Sequence, residues 1–262
     1  MKFLVRLLLL IGLMAGAASP VHAALVINEA LLNVPDGADN GFEFVEIKGS
    51  ASETVNNVWL IEIDSNGTTN GAILNAVNLT SAGTVGTNGL LLIRDAATAL
   101  VPAADGTTTV KVQDFSPDLE NNTTTLALVT NFTGTVGQDL DTNNDGTIDV
   151  TLPWSSTLDA VTNQDSAGGD FPHADDLGGT VIPVNASYSP DYIMRDPSNP
   201  TVWVRADVTG NGSTPWSGPY TIDATQNSDS NFAGLTATPG SPNASAPSSV
   251  GTVPVPRFKE DK

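Results

Sequence analysis

Asp141-Thr-Asn143-Asn-Asp145-Gly146-Thr147-Ile148-Asp149 sets a carboxylate or an amide at alternate positions, with a glycine after the third. Ca²⁺ takes about six to eight oxygen ligands, and a tight turn that brings alternate side chains inward can supply them. In EF-hand spacing Asp141, Asn143 and Asp145 stand at positions 1, 3 and 5, Gly146 turns the chain at 6, Thr147 offers its backbone carbonyl at 7 and Asp149 stands at 9. Leu152 replaces the usual bidentate Glu at position 12, and the flanks have no helical pattern. The expectation is therefore a free-standing Asp loop over 139–149, with Asp139 supplying the missing oxygen. Its metal ligands are Asp139, Asp141, Asn143, Asp145, Thr147 and Asp149, and its Ca²⁺ is structural.

Other residues of chemical type are less convergent. Glu29, Glu43, Glu46 and Glu62 could do general acid–base work. Glu43 and Glu46 are three apart on a strand, however, so they point to opposite faces. They are expected as edge or rim carboxylates, with room for one hydrogen-bonded inside. Phe171-Pro-His173-Ala-Asp175-Asp176 holds metal-ligating types, but a lone His in a polar loop is expected to be exposed. Ser166 and Ser189 lie in no nucleophile-elbow setting, and no Gly-rich phosphate loop joins a strand to a helix. No catalytic residue is therefore assigned. Trp154, Trp203 and Trp216 could stack on sugars; core or turn packing is their expected role.

The elements that must position these residues are strands. Trp59-Leu-Ile61-Glu-Ile63-Asp alternates, with Trp59, Ile61 and Ile63 on one face and Glu62 and Asp64 on the other. Leu90-Leu-Leu-Ile93 is a continuous apolar run that fits a strand buried on both sides. Thr125–Val129 and Thr201–Val204 are β-rich segments. Clusters of Gly, Asn, Asp, Ser and Thr separate them. No sustained helical periodicity occurs after residue 23, and at most Ala96–Leu100 could form a helical turn. Residues 136–230 are long for pure loop and are expected to include strands that the pattern does not place.

Composition narrows the setting. Lys2 and Arg6, the apolar run Leu7–Met14 and Val21-His22-Ala23 read as a secretory signal peptide over 1–23, with cleavage before Ala24. There are no cysteines. Between residues 24 and 256 five basic residues face 27 acidic ones, a net of −22. Such a chain is repelled by nucleic-acid phosphates and anionic lipids and attracts divalent cations. From 244 to 262 a Pro- and Ser-rich tail is expected to be disordered.

Several short motifs, in order, resemble one family. Val26-Ile-Asn-Glu29, Glu43-Phe-Val-Glu-Ile47, Trp59-Leu-Ile-Glu-Ile63 and Asn88-Gly-Leu-Leu-Leu-Ile93 resemble the opening of bacterial secreted lamin-tail domain proteins. Thr238-Pro-Gly-Ser-Pro-Asn243 is similar to their closing motif. The Asp loop, Leu152-Pro-Trp154 and Leu158-Asp-Ala160 resemble the middle of the bacterial branch. The resemblance covers 25–243. It implies an immunoglobulin-like β-sandwich over 24–243 with a long loop-rich insertion. It also implies an extracellular module of a kind sometimes fused to nucleases or phosphatases. Val250-Gly-Thr-Val-Pro-Val-Pro256 resembles the entry to a PEP-CTERM sorting signal, but Arg257 follows where an apolar helix belongs.

The reading is a secreted, all-β, non-enzymatic protein that binds or scaffolds at the cell exterior. Its partners would be calcium and an extracellular protein or polysaccharide, without nucleic acid and without stable membrane insertion. The alternatives are an extracellular hydrolase or its accessory module, acting on nucleic acid, phosphate esters or glycans, and a carbohydrate-binding module built on tryptophans.

Overall fold

The computed structural model describes residues 25–35, 41–67, 70–95, 100–165, 168–184, 188–209 and 218–246. The expectations for the leader, for a turn at 96–99, for Ser166 and Trp216, and for the chain beyond 246 lie outside these residues.

Within them the chain is almost wholly β. The strands are β1 (Val26–Leu31), β2 (Phe44–Lys48), β3 (Val58–Asp64), β4 (Ile73–Asn78), β5 (Leu90–Arg94), β6 (Thr109–Val112) and β7 (Thr124–Thr130). After these come β8 (Ser156–Asn163), β9 (Thr180–Ile182), β10 (Tyr192–Asp196), β11 (Asn199–Thr209) and β12 (Thr221–Asn227). One sheet has seven strands in the order β12-β11-β10-β1-β2-β5-β6, and the other has five in the order β4-β3-β7-β8-β9. Neighbours run antiparallel except β5 with β6 and β8 with β9, which are parallel. The two sheets form a sandwich, as the alternating strands imply. All four segments read as strands lie within β3, β5, β7 and β11.

Alternation explains where each face goes. Leu60 of β3 joins Val45, Ile47, Leu91, Ile93, Leu126 and Leu128 between the sheets. Ile61 and Ile63 point the other way, into a second core with Ala127, Val129, Leu140, Trp154 and Ala174. This outer core is roofed by the segments between β7 and β8 and between β8 and β9. A third core covers the far side of the seven-stranded sheet, where Leu31, Phe44, Leu92, Tyr192 and Met194 meet Tyr220, Phe232 and Ala237. The central strands of both sheets are therefore buried on both faces, and β7 is buried along its whole length. Burying a Val, Leu or Ile contributes roughly 1.5–3 kcal/mol, so three such layers supply cohesion in a chain without disulfides.

Double burial also changes the fate of the polar positions. Glu62 lies on the face of β3 opposite Ile61, as the alternation requires, but that face is the sandwich interior. No helix among the described residues is long and apolar enough to cross a membrane.

Candidate functional site

The Asp loop hangs between β7 and β8 on the outer face of the five-stranded sheet. The Asp149 N–H donates to the Leu140 carbonyl at 3.0 Å and closes the base of the loop. Leu140 is fully buried in the core beneath and anchors it.

Asp141 is buried, and its carboxylate organises the turn. Its Oδ1 accepts the Asp145 N–H at 3.2 Å and its Oδ2 accepts the Gly146 N–H at 2.7 Å. Asn143 Oδ1 accepts the Asp145 N–H at 3.0 Å, and Asp145 Oδ1 accepts the Thr147 N–H at 3.0 Å. The side chains at positions 1, 3 and 5 thus each accept a backbone N–H two to five residues later. Gly146 sits at φ +88°, where a Cβ would meet the Phe171 ring at 2.5 Å. Gly71 packs against the other side: at φ +87° a Cβ there would lie 2.7 Å from the Asp141 nitrogen.

The remaining expected ligands are placed differently. Asp139 Oδ1 accepts the Asp141 N–H at 3.0 Å. Asp149 turns to Thr142, whose N–H and hydroxyl donate to it at 3.1 and 2.8 Å. Those bonds hold its carboxyl below the usual range. The structure thus interlocks Asp141, Asn143, Asp145 and Thr147, and sets Asp139 and Asp149 at the two ends. The donors are all hard oxygens, which suits calcium.

Sequence reasoning missed the wall of this site. His173 was expected to be exposed and is instead fully buried. The segment Phe171–Gly179 folds under the Asp loop to cover the outer core, and that brings His173 inside. Its Nε2 lies 3.2 Å from Asn70 Oδ1, and its Nδ1 lies 3.9 Å from Asp176 Oδ2, too far for a hydrogen bond. Burial lowers its pKa, against the pull of Asp141, Asp176 and Asp175. Asp176 in turn accepts the Ile148 N–H at 2.9 Å and so joins the loop from outside it.

A second acidic group comes together at one end of the sandwich. Oxygens of Glu43, Asp95 and Asp118 all lie within 4.8 Å of one another. Among the described residues no other three carboxylates approach so closely, those of the Asp loop included. The segment 116–120 delivers Asp118, because the Leu119 N–H donates to Glu43 at 2.8 Å and the Glu120 N–H donates to Glu62 at 2.7 Å. Asp95 accepts the Gly41 N–H at 2.9 Å. The three residues are far apart in sequence, and no local pattern links them.

The rim expectation for the glutamates is overturned. Glu29, Glu43, Glu46 and Glu62 are all buried: Glu62 faces the sandwich interior, and Glu29 and Glu46 lie under the closing segment 238–243. Glu43 and Glu46 do point to opposite faces. Glu62 accepts Asn75 at 2.7 Å and Thr124 at 3.1 Å, and burial pushes it up to about 7. Trp154 and Trp203 are core residues: Trp154 tilts against Phe132 with centroids 6.4 Å apart, and Trp203 lies beneath the Arg195 guanidinium at 4.4 Å. They form no sugar platform.

Fold and sites define a double-sheet all-β protein with an oxygen-lined Asp loop. No family model matches the chain, and no curated protein matches it.

Proposed function

We propose that this is a secreted, non-enzymatic lamin-tail-like module that binds or scaffolds at the cell exterior and is stiffened by calcium in the loop 139–149. The observation that carries the calcium reading is the buried Asp141 carboxylate, held by two backbone N–H groups at the first position of a loop whose side chains at positions 3 and 5 also accept backbone N–H groups of the turn. Asp141, Asn143, Asp145 and the Thr147 carbonyl would hold the ion, with Asp139 or Asp149 completing the shell. Bound calcium would neutralise carboxylates that otherwise repel, and would lock the roof of the outer core. Kinship with lamin-tail domains is supported by one further arrangement: the closing motif Thr238–Asn243 docks on Glu29 and Glu46, one from each of the first two opening motifs.

The test is retention of the purified protein on the insoluble extracellular fraction of its own cells, in calcium and in chelator. Calcium-dependent retention without turnover of nucleic acid, phosphate esters or glycans is expected. Turnover of any of these would move the protein to the hydrolase class.

A further inference from the structure

The closing segment Thr238-Pro-Gly-Ser-Pro-Asn243 lies across the seven-stranded sheet on two buried carboxylates. Glu29 of β1 and Glu46 of β2 are register partners and are both fully buried. Glu29 accepts the Thr238 N–H at 2.8 Å and the Thr238 hydroxyl at 3.0 Å. Glu46 accepts the Gly240 N–H at 2.8 Å and the Asn28 amide at 2.6 Å. Asn28 also donates to Asn243 Oδ1 at 2.5 Å, and Asn243 donates to the Arg195 carbonyl at 2.7 Å. The Gly240 carbonyl also accepts the Asp105 N–H at 2.9 Å and the Thr108 hydroxyl at 2.6 Å, but the charged groups that hold this segment are the two carboxylates, both shielded from water.

Paired strand positions bring side chains within about 5.5 Å, and two buried carboxylates so placed cannot both ionise without strong repulsion. Hydrogen bonds from Thr238, Gly240 and Asn28 favour the ionised forms, but burial outweighs them. On the β10 side stands Tyr192, an uncharged phenol. On the β5 side the register partner of Glu46 is Leu92. Thr238 and Gly240 are uncharged, and the cation that bears on Glu46 is Lys48, at the exposed end of β2.

We propose that Thr238–Asn243 is a pH-released clasp, closed while Glu29 and Glu46 share a proton and opened when both ionise, so that the C-terminal chain is freed from the sheet. Burial pushes Glu29 up to about 7, and burial together with Glu29 pushes Glu46 well above the usual range. The shared proton is therefore kept in mildly acidic solution and lost as pH rises past neutrality, and the clasp opens in that direction. Opening would uncover Leu92 and Ala104, against which Gly240 packs. It would also hand the chain beyond Asn243 to a partner or protease.

Hydrogen exchange of the full chain at pH 6 and pH 9, corrected for the intrinsic pH dependence of exchange, tests this. Protection of a peptide spanning 237–246 is expected to fall at least about tenfold, the factor equivalent to one pKa unit, while a peptide covering β7 keeps its protection. In Glu29→Gln the fall should vanish: the Thr238 hydroxyl can rotate to accept from the new amide, and the Thr238 N–H keeps its acceptor. Equal protection of 237–246 at both pH values in wild type would overturn the proposal. So would a parallel loss in β7, or the same fall in Glu29→Gln. If that variant does not fold, the comparison of the two wild-type peptides decides.

Discussion

Arg195 Nη2 donates to both carboxylate oxygens of Asp159, at 3.0 and 2.8 Å, and so ties β10 of the seven-stranded sheet to β8 of the five-stranded one. The pair is nearly buried, with side-chain exposures of 11% and 12%. Asp159 also accepts the Ile27 N–H at 2.8 Å, and Arg195 donates to the Ile27 and Pro200 carbonyls, each at 2.7 Å. All three guanidinium nitrogens therefore donate, and Trp203 lies against its flat face. Removing one partner of such a pair leaves a charge uncompensated. Asp159→Ala is expected to cost about 3 kcal/mol in urea denaturation. Arg195→Lys should cost nearly as much, because an ammonium cannot meet these acceptors or stack on Trp203. A change under about 0.5 kcal/mol in both would show that the pair does not hold the sheets together.

Stability should fall as pH rises through neutrality. Glu29, Glu62 and Asp191 are each pushed up to about 7 by burial. A raised carboxyl binds its proton more tightly in the folded state, so stability is lost as pH climbs from the unfolded value towards the folded one. For Glu62, rising from an ordinary 4.5 to about 7 corresponds to roughly 3 kcal/mol lost once it is ionised. His173 acts in the opposite sense over the lower part of the range, one group against several. The melting temperature is expected to drop by at least about 5 °C between pH 5.5 and pH 8. A flat or rising profile would contradict these buried acids.

How much of this was legible follows from periodicity. Trp59–Asp64 and Leu90–Ile93 announce strands because alternation and apolar runs are local. The doubled burial was hidden, because the roofs over the two outer faces come from segments without a strand pattern, such as Phe171–Gly179. For the same reason Glu29 and Glu46 looked like surface residues and His173 looked exposed; Glu62 looked so because Ile61 and Ile63, which fill the outer core, read as the inner face. The Asp loop could be read because its ligand types lie within eleven residues. Glu43, Asp95 and Asp118 could not, since only the folded path of 116–120 brings them together. β8 and β10 were missed because Thr157, Asp159, Arg195 and Asp196 break the apolar alternation; Asp159 and Arg195 serve the ion pair between the sheets.

Gly71 should be intolerant in a way that Gly67 is not. Both have positive φ, +87° and +67°, but a Cβ on Gly71 would press on the Asp141 backbone at 2.7 Å, while one on Gly67 meets nothing within 4 Å. Gly67→Ala is expected to cost about 1 kcal/mol from backbone strain alone, and Gly71→Ala about 2–3 kcal/mol. Gly71→Ala should also displace Asp141 and weaken any response to calcium. Equal losses in chemical denaturation would mean that the close approach of Gly71 to the loop carries no weight.

The most direct test of the account is the melting temperature of the full chain in millimolar calcium and in chelator, for wild type and Asp141→Ala. An ion bound only by the folded state adds about 2.7 kcal/mol at a hundredfold excess over its Kd. Wild type should therefore melt roughly 5–10 °C higher in calcium, with magnesium a poor substitute because it wants compact octahedral geometry. Asp141→Ala should show no difference between the two solutions. Identical melting of wild type in calcium and in chelator would contradict the calcium loop and leave an Asp-rich turn held by its own N–H groups.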